Sequence, residues 1–158
     1  MLVGFRHAHA AALYQTAQRL EYVDVVACVE EDPAARDQIP AQLGVTLTHD
    51  TFDQVLQEVD FDALACIDYF ARRGPVLLKA LEAGKHVVTD KPLCTEVDQL
   101  RQIAGLAREK NLIVHVDFTM RYSGLAMKMR DLVRSGEIGN LATASVFGLH
   151  PLNWGSRP

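Results

Sequence analysis

Cysteine is scarce in this sequence. Cys28, Cys66 and Cys94 are the only three in 158 residues, and no pair has C-x-x-C spacing. An odd, unspaced set argues against a disulfide framework and against a thiolate zinc site. Cys28 and Cys66 lie inside apolar runs and read as buried thiols, which suits a reducing compartment. Basic runs are also missing. The 16 Lys and Arg are scattered among 20 Asp and Glu, for a formal net charge of −4. Without a basic face, nucleic acid is not an expected partner. No apolar stretch approaches the roughly 20 residues that cross a bilayer, and no basic-then-apolar leader opens the chain. No membrane partner is expected, and the cytoplasm is the default compartment. Internal repeats and low-complexity segments are absent as well.

What is present is alternation. Short β-rich runs at Leu2–Val3, Val23–Val29, Val45–Leu47, Ala63–Ile67, His86–Thr89 and Leu112–Val116 are separated by helical patterns. Leu13, Ala17 and Leu20 recur at helical spacing. Asp32-Pro33 reads as a helix start, and Pro40 should end or kink that helix near Ile39. Gly74-Pro75 opens another helix, with Val76, Leu77, Ala80 and Leu81 as its stripe and Gly84 as its left-handed cap. Thr95-x-x-Asp98 reads as a capping box. Repeated β-α-β units with short connections predict an α/β fold with a parallel, doubly wound sheet. After Val116 the pattern changes. Ser123 to Ser135 predicts an amphipathic helix with Leu125, Met129, Leu132 and Val133 inward. Ser135 to Asn140 is a turn, and Leu141 to Leu149 is a strand candidate. A lone strand buries no face of its own, so the tail reads as the first helix and strand of an incomplete α+β domain. The expected boundary is 1–120 and 121–158. Val146, Phe147, Leu149, Leu152 and Trp154 would then be partly exposed, and an unpaired edge of this kind favours association into a homo-oligomer.

In a doubly wound sheet, ligands bind at the carboxyl ends of the strands. The first strand runs into Gly4-Phe5-Arg6-His7, where a glycine permits the tight turn that aims a helix N-terminus at a diphosphate. The second and third glycines of a dinucleotide fingerprint are replaced by Arg6 and His9, so this run is a weak signal. His7 and His9 form an H-x-H, but the sequence offers no third ligand beside them, and no metal is expected. Glu30 ends the second strand, where an acid accepts the adenosine ribose hydroxyls and repels a 2′-phosphate. That favours NAD, while nearby Arg36 keeps NADP open. Asp68, Tyr69, Asp90-Lys91 and Asp117 to Arg121 end the other strands. Tyr69 and Phe70 read equally as a stacking surface and as loop packing. Arg72-Arg73 reads first as a solvated helix start and second as a phosphate contact. His150, in the terminal loop with Asn153, Trp154 and Arg157, is a candidate substrate ligand.

The segment from Ala80 to Leu93 resembles the A-L-E-A-G-K-H-V-x-x-E-K-P-L signature of the glucose–fructose oxidoreductase / inositol dehydrogenase (Gfo/Idh/MocA) family, with Asp90 in place of the usual Glu. Asp62-Ala63-Leu64-Ala65, Met120-Arg121 and Ser135-Gly136-Glu137-Ile138-Gly139 resemble further family segments, in order. The resemblance implies an N-terminal Rossmann-type dinucleotide-binding domain. It also implies hydride transfer between a nicotinamide and a polyol, sugar or related alcohol or carbonyl substrate. Lys91 would then be the catalytic lysine beside the reacting oxygen. Gly4, Phe5, Arg6, His7, Glu30, Asp68, Tyr69, Asp90 and Arg121 would line the cofactor. The sequence departs from the family after the strand at Ala63–Ile67, where Thr-Pro-Asn is usual, and it carries no C-terminal acid/base pair. On those grounds this chain is expected to be inactive as a fragment. A non-catalytic nucleotide-binding or regulatory module is the alternative.

Overall fold

The alternation of short apolar runs and helical stretches folds into a five-stranded parallel sheet in the order β2-β1-β3-β4-β5. The strands are β1 (Leu2–Val3), β2 (Cys28–Val29), β3 (Ala63–Cys66), β4 (His86–Asp90) and β5 (Val114–Asp117). Between them lie α1 (His9–Arg19), α2 (Pro33–Leu43), α3 (Phe52–Glu58), α4 (Phe70–Glu82) and α5 (Val97–Glu109), and α6 (Gly124–Arg134) follows β5. This computed structural model describes residues 1–148. Contacts divide the chain into a compact unit Met1–Asp117 and a second unit from Phe118 onward. No helix among the described residues is long and apolar enough to cross a membrane.

Alternate residues of each strand point to opposite faces of the sheet. Val3, Val29, Leu64, Cys66 and Val87 therefore meet Phe52, Val55, Leu77, Leu81 and Ile103 on one face. Leu2, Cys28 and Ile67 meet Phe5, Ala10, Tyr14, Ile39 and Val45 on the other. The chain reverses direction of winding at β1, which pairs with β2 on one side and β3 on the other. Such a switch point opens a crevice at the carboxyl ends of the strands.

Several local expectations are corrected. Val45–Leu47 forms no strand. A single parallel bridge, Val29 to His49, joins that segment to β2, with Thr48 N–H donating to the Cys28 carbonyl at 2.9 Å. The expected strand Val23–Val29 is reduced to Cys28–Val29, because Val23 and Val26 face solvent. Helix α2 runs through Pro40 to Leu43 and stops at Gly44, in left-handed conformation. Pro40 is exposed, so its ring and missing N–H disturb no packing. Helix α4 begins at Phe70, so Gly74-Pro75 lies inside it. Thr95 and Asp98 make no capping box, since α5 starts at Val97 without a side-chain cap. The capping box is at Thr51 and Gln54, opening α3. In the second unit, Ser123 caps α6 through the Ala126 N–H. No α6 side chain is buried, contrary to the inward stripe expected of Leu125, Met129, Leu132 and Val133. Residues 141–148 are not a strand. A strand needs a neighbour for its backbone groups, and none pairs with this segment among the described residues.

Candidate functional site

Gly4 sits at the carboxyl end of β1 with φ +79°. A Cβ there would lie 2.7 Å from Asp68 Cα and 2.8 Å from its Cγ. The glycine therefore serves both the turn and the close approach of the β1 and β3 ends. The next residue, Phe5, is buried against Tyr14 with ring centroids 6.3 Å apart. Its side chain belongs to the core, and its contribution at the crevice is the backbone N–H, which donates to Glu30 Oε2 at 2.8 Å.

Glu30 is 0% exposed. Its second oxygen, Oε1, accepts the Asp32 N–H at 2.9 Å. It thus holds the two loops of the crevice in register and is covered in this state. The accessible acids at the β2 end are Glu31 and Asp32. Asp32 also caps α2 by accepting from the Ala35 N–H.

Arg6 spans the crevice. Its guanidinium donates to Asp32 Oδ2 at 3.1 Å and Asp68 Oδ1 at 3.0 Å, and its Nε is 3.6 Å from Glu30 Oε1. It lies 4.2 Å above the Tyr69 ring. Burial works against its charge, but Asp68, Glu30, Tyr69 and Asp32 together raise its pKa above the ordinary arginine value. Asp68 is itself buried and also accepts the Tyr69 N–H at 2.8 Å. Beside this cluster a cavity of about 480 Å³ is lined by Glu31, Phe52, Tyr69, Arg72 and their neighbours.

At the β4 end, Asp90 is buried. Its Oδ1 accepts the Lys91 N–H at 2.7 Å, and the Lys91-Pro92 peptide is cis. Arg73, fully buried, donates from Nε to the Asp68 carbonyl at 2.7 Å and from one terminal nitrogen to the carbonyls of Asp90 and Pro92, each at 3.0 Å. Of the pair expected as a solvated helix start, both stand in the first turn of α4, but Arg73 is buried. Arg73 is a structural clamp, and Arg72 pairs with Glu31 and Asp68. Lys91 is exposed and makes no ion pair among the described residues. His7 and His9 both face Asp90 Oδ2, at 3.2 and 2.8 Å. The fold thus supplies a third potential ligand for the H-x-H, which the sequence spacing did not reveal. Burial, more than the charges of Arg73, His9 and Lys91, lowers the His7 pKa below its ordinary value, and Asp90 opposes this only in part.

Residues 2–118 match the profile of the Gfo/Idh/MocA oxidoreductases, described as "Oxidoreductase family, NAD-binding Rossmann fold". The chain belongs to this family. A dTDP-3,4-didehydro-2,6-dideoxy-alpha-D-glucose 3-reductase of Saccharopolyspora spinosa is 35% identical over 130 residues, 82% of this chain and 39% of that protein. A scyllo-inositol 2-dehydrogenase (NAD(+)) of Bacillus subtilis is 25% identical over 113 residues, 71% of this chain and 33% of that protein. The chain therefore spans well under half the length of these relatives. Among solved structures, scyllo-inositol dehydrogenase from Lactobacillus casei with bound NAD(H) and scyllo-inositol superposes with a TM-score of 0.75 at 24% identity, covering 88% of this chain and 41% of that one.

NAD is the cofactor of this family domain, and the residues present fit it. Ala8 puts no side-chain cap on α1, and no acid stands in the first turn. The helix N-terminus is thus partly open to an anion, since two of its N–H groups are engaged, that of His9 with His7 Nδ1 at 3.3 Å and that of Ala10 with the His7 carbonyl at 3.0 Å. Arg6 flanks this position, and acids gather at the β2 end, where a doubly wound dinucleotide fold generally places an acid for the ribose. The crevice brings together Gly4, Arg6, His7, Glu30, Asp68, Tyr69, Asp90 and Lys91. Arg121 belongs to the second unit, in the 3-10 turn Thr119–Tyr122, where it stacks 5.9 Å from the Tyr122 ring. His150 lies outside the described residues. Sequence reasoning missed Asp32 as the partner of Arg6 and Arg73 as the clamp. The Asp32-Pro33 start was a usable pointer to the first. Nothing in the sequence marked the second.

Proposed function

We propose that this chain is the cofactor-holding part of an NAD-dependent oxidoreductase acting on a sugar, polyol or related alcohol or carbonyl compound. The observation that carries the reading is the position of Lys91. It follows the carboxyl end of β4, with its backbone N–H fixed by buried Asp90 and its ammonium unpaired among the described residues. The names of the relatives, which act on deoxysugar nucleotides and inositols, support that substrate class.

A bound nicotinamide would supply or accept the hydride. Lys91 holds positive charge beside the reacting oxygen, where developing negative charge is stabilised, a contact typically worth about 2–4 kcal/mol in the transition state. Asp90 and Arg73 fix the backbone on either side of it. The acids at the β2 end, Glu30, Glu31 and Asp32, place negative charge where a 2′-phosphate would approach, and Arg6 and Arg72 offset only part of it, so NAD(H) is preferred over NADP(H).

Fluorescence titration of the chain with NADH and NADPH tests the cofactor preference. NADH is expected to bind at least about tenfold more tightly, or 1.4 kcal/mol. Asp32→Asn keeps the α2 cap but removes one charge, and it should narrow the gap. Equal or tighter binding of NADPH would overturn the preference, and no binding of either would overturn the reading. In the catalytically complete protein, Lys91→Ala should cut turnover on inositols or deoxysugars about 30-fold or more while leaving NADH affinity nearly unchanged. Unchanged turnover at saturating substrate would remove Lys91 from the mechanism.

A further inference from the structure

Three side chains from distant parts of the sequence converge beside Lys91 without an account in the reading above. His7 lies in the β1–α1 connection, His9 is the first residue of α1, and Asp90 is the last residue of β4. Their ligating atoms all lie within 4.8 Å of one another. The two imidazoles are edge to face, with centroids 4.8 Å apart.

Two imidazole nitrogens face one carboxylate oxygen. The His9 N–H lies 3.3 Å from His7 Nδ1, a long contact. The same nitrogen stands 3.2 Å from Asp90 Oδ2, itself an acceptor. With the proton on Nε2, each imidazole turns an Nδ1 lone pair toward the same carboxylate oxygen, an arrangement that a shared cation would hold. Donor atoms bound tetrahedrally at about 2.0–2.2 Å are roughly 3.3 Å apart. The 3.2 Å separation matches that spacing, and the 2.8 Å at His9, with all donor atoms within 4.8 Å of one another, needs only side-chain adjustment on binding. Asp90 Oδ1 is occupied by the Lys91 N–H, which leaves Oδ2 for the ion. Arg73 stands 3.8 Å behind that oxygen and places a positive charge beside it. His9 is 45% exposed, so one side of the cluster is open to solvent.

We propose that His7, His9 and Asp90 form a three-ligand site for a divalent transition-metal ion of the zinc type, with an open position for water or a ligand oxygen. Two imidazoles with one carboxylate favour zinc, cobalt or nickel over magnesium or calcium.

The test uses the untagged chain, stripped with EDTA and titrated with Zn²⁺ by calorimetry and with Co²⁺ by visible absorption. The expected result is one ion per chain with a Kd at or below about 1 μM. The cobalt spectrum should show ligand-field bands without a thiolate charge-transfer band, which separates this site from Cys94. His7→Gln and His9→Gln should each weaken binding more than about 100-fold, beyond the usual effect of losing an outer partner. His49→Gln, outside the cluster, should leave it unchanged. Circular dichroism verifies that each variant is folded. Absence of saturable Zn²⁺ binding by the unmodified chain would overturn the proposal. So would undiminished binding by the His7 and His9 variants, or a thiolate band with cobalt.

Discussion

Replacing Gly4 by alanine should destabilise the first unit far more than the same change at Gly84, although both glycines have nearly the same backbone conformation, φ +79° and +76°. Left-handed backbone costs an alanine about 1–2 kcal/mol at either position. At Gly84 nothing lies within 4 Å of the new methyl group, so that is the whole cost. At Gly4 the methyl meets Asp68 Cα at 2.7 Å and Cγ at 2.8 Å, against an ordinary contact of about 3.5–4.0 Å. Asp68 cannot yield easily. Its carboxylate is held by Arg6, Arg72 and the Tyr69 N–H, and its carbonyl by Arg73. Relief requires the ends of β1 and β3 to separate by on the order of 1 Å, and overpacking of this kind adds about 1–3 kcal/mol. Gly4→Ala should therefore cost about 2–5 kcal/mol. For a unit of this size that lowers Tm by roughly 6–20 °C, against about 3–8 °C for Gly84→Ala. Urea unfolding and scanning calorimetry of the two variants provide the comparison. Losses equal within about 0.5 kcal/mol, the usual additivity error, would refute the argument that Asp68 closes on Gly4.

Arg73→Met should cost about 3–5 kcal/mol in urea unfolding, because it strands a buried acid and three carbonyls. Arg73→Lys should recover only part of this, lacking the planar fork, and a loss below about 1 kcal/mol for Arg73→Met would contradict the clamp. Thr51→Ala should lose about 1 kcal/mol of stability, whereas Thr95→Ala should lose almost nothing; the reverse order would mean that the α5 cap forms after all. Burial pushes the Cys28 thiol up to about 11 and the Cys66 thiol up to about 12. Iodoacetamide at pH 8 should thus modify the folded chain once, at Cys94, and three times after denaturation, as read by mass spectrometry. A second adduct on the folded chain would show that one of the buried thiols is open.

The sheet was legible because each strand kept its apolar run and each helix its stripe, and those local signals agree with the global topology. Where reading failed, the deciding information was tertiary. Val45–Leu47 has the composition of a strand, but whether it pairs depends on β2, which offers it one bridge. Gly74-Pro75 looks like a helix start because Tyr69, the true N-cap of α4, makes no side-chain cap bond that a motif could betray. Thr51 and Thr95 begin similar four-residue patterns, and only the first closes into a reciprocal pair. The ends of the strands pointed to one region, the crevice where Gly4, Arg6, Asp68 and Asp90 come together. They could not show that Glu30 is covered, with its oxygens taken by the Phe5 N–H across 25 positions and by the Asp32 N–H. The meeting of His9 with Asp90 spans 81 positions, beyond any local pattern.

The Arg73 clamp also sets a rule for how this domain can vary in length. One guanidinium measures the gap between the carbonyls that end β3 and those that flank Lys91. An inserted residue between Asp68 and Arg73, or between Asp90 and Pro92, would pull at least one carbonyl off its donor. The exposed turn at Glu21 and Tyr22 carries no comparable tie. Length variation should therefore accumulate on the side of the sheet away from the crevice, while the two loops around Lys91 keep a fixed count of residues.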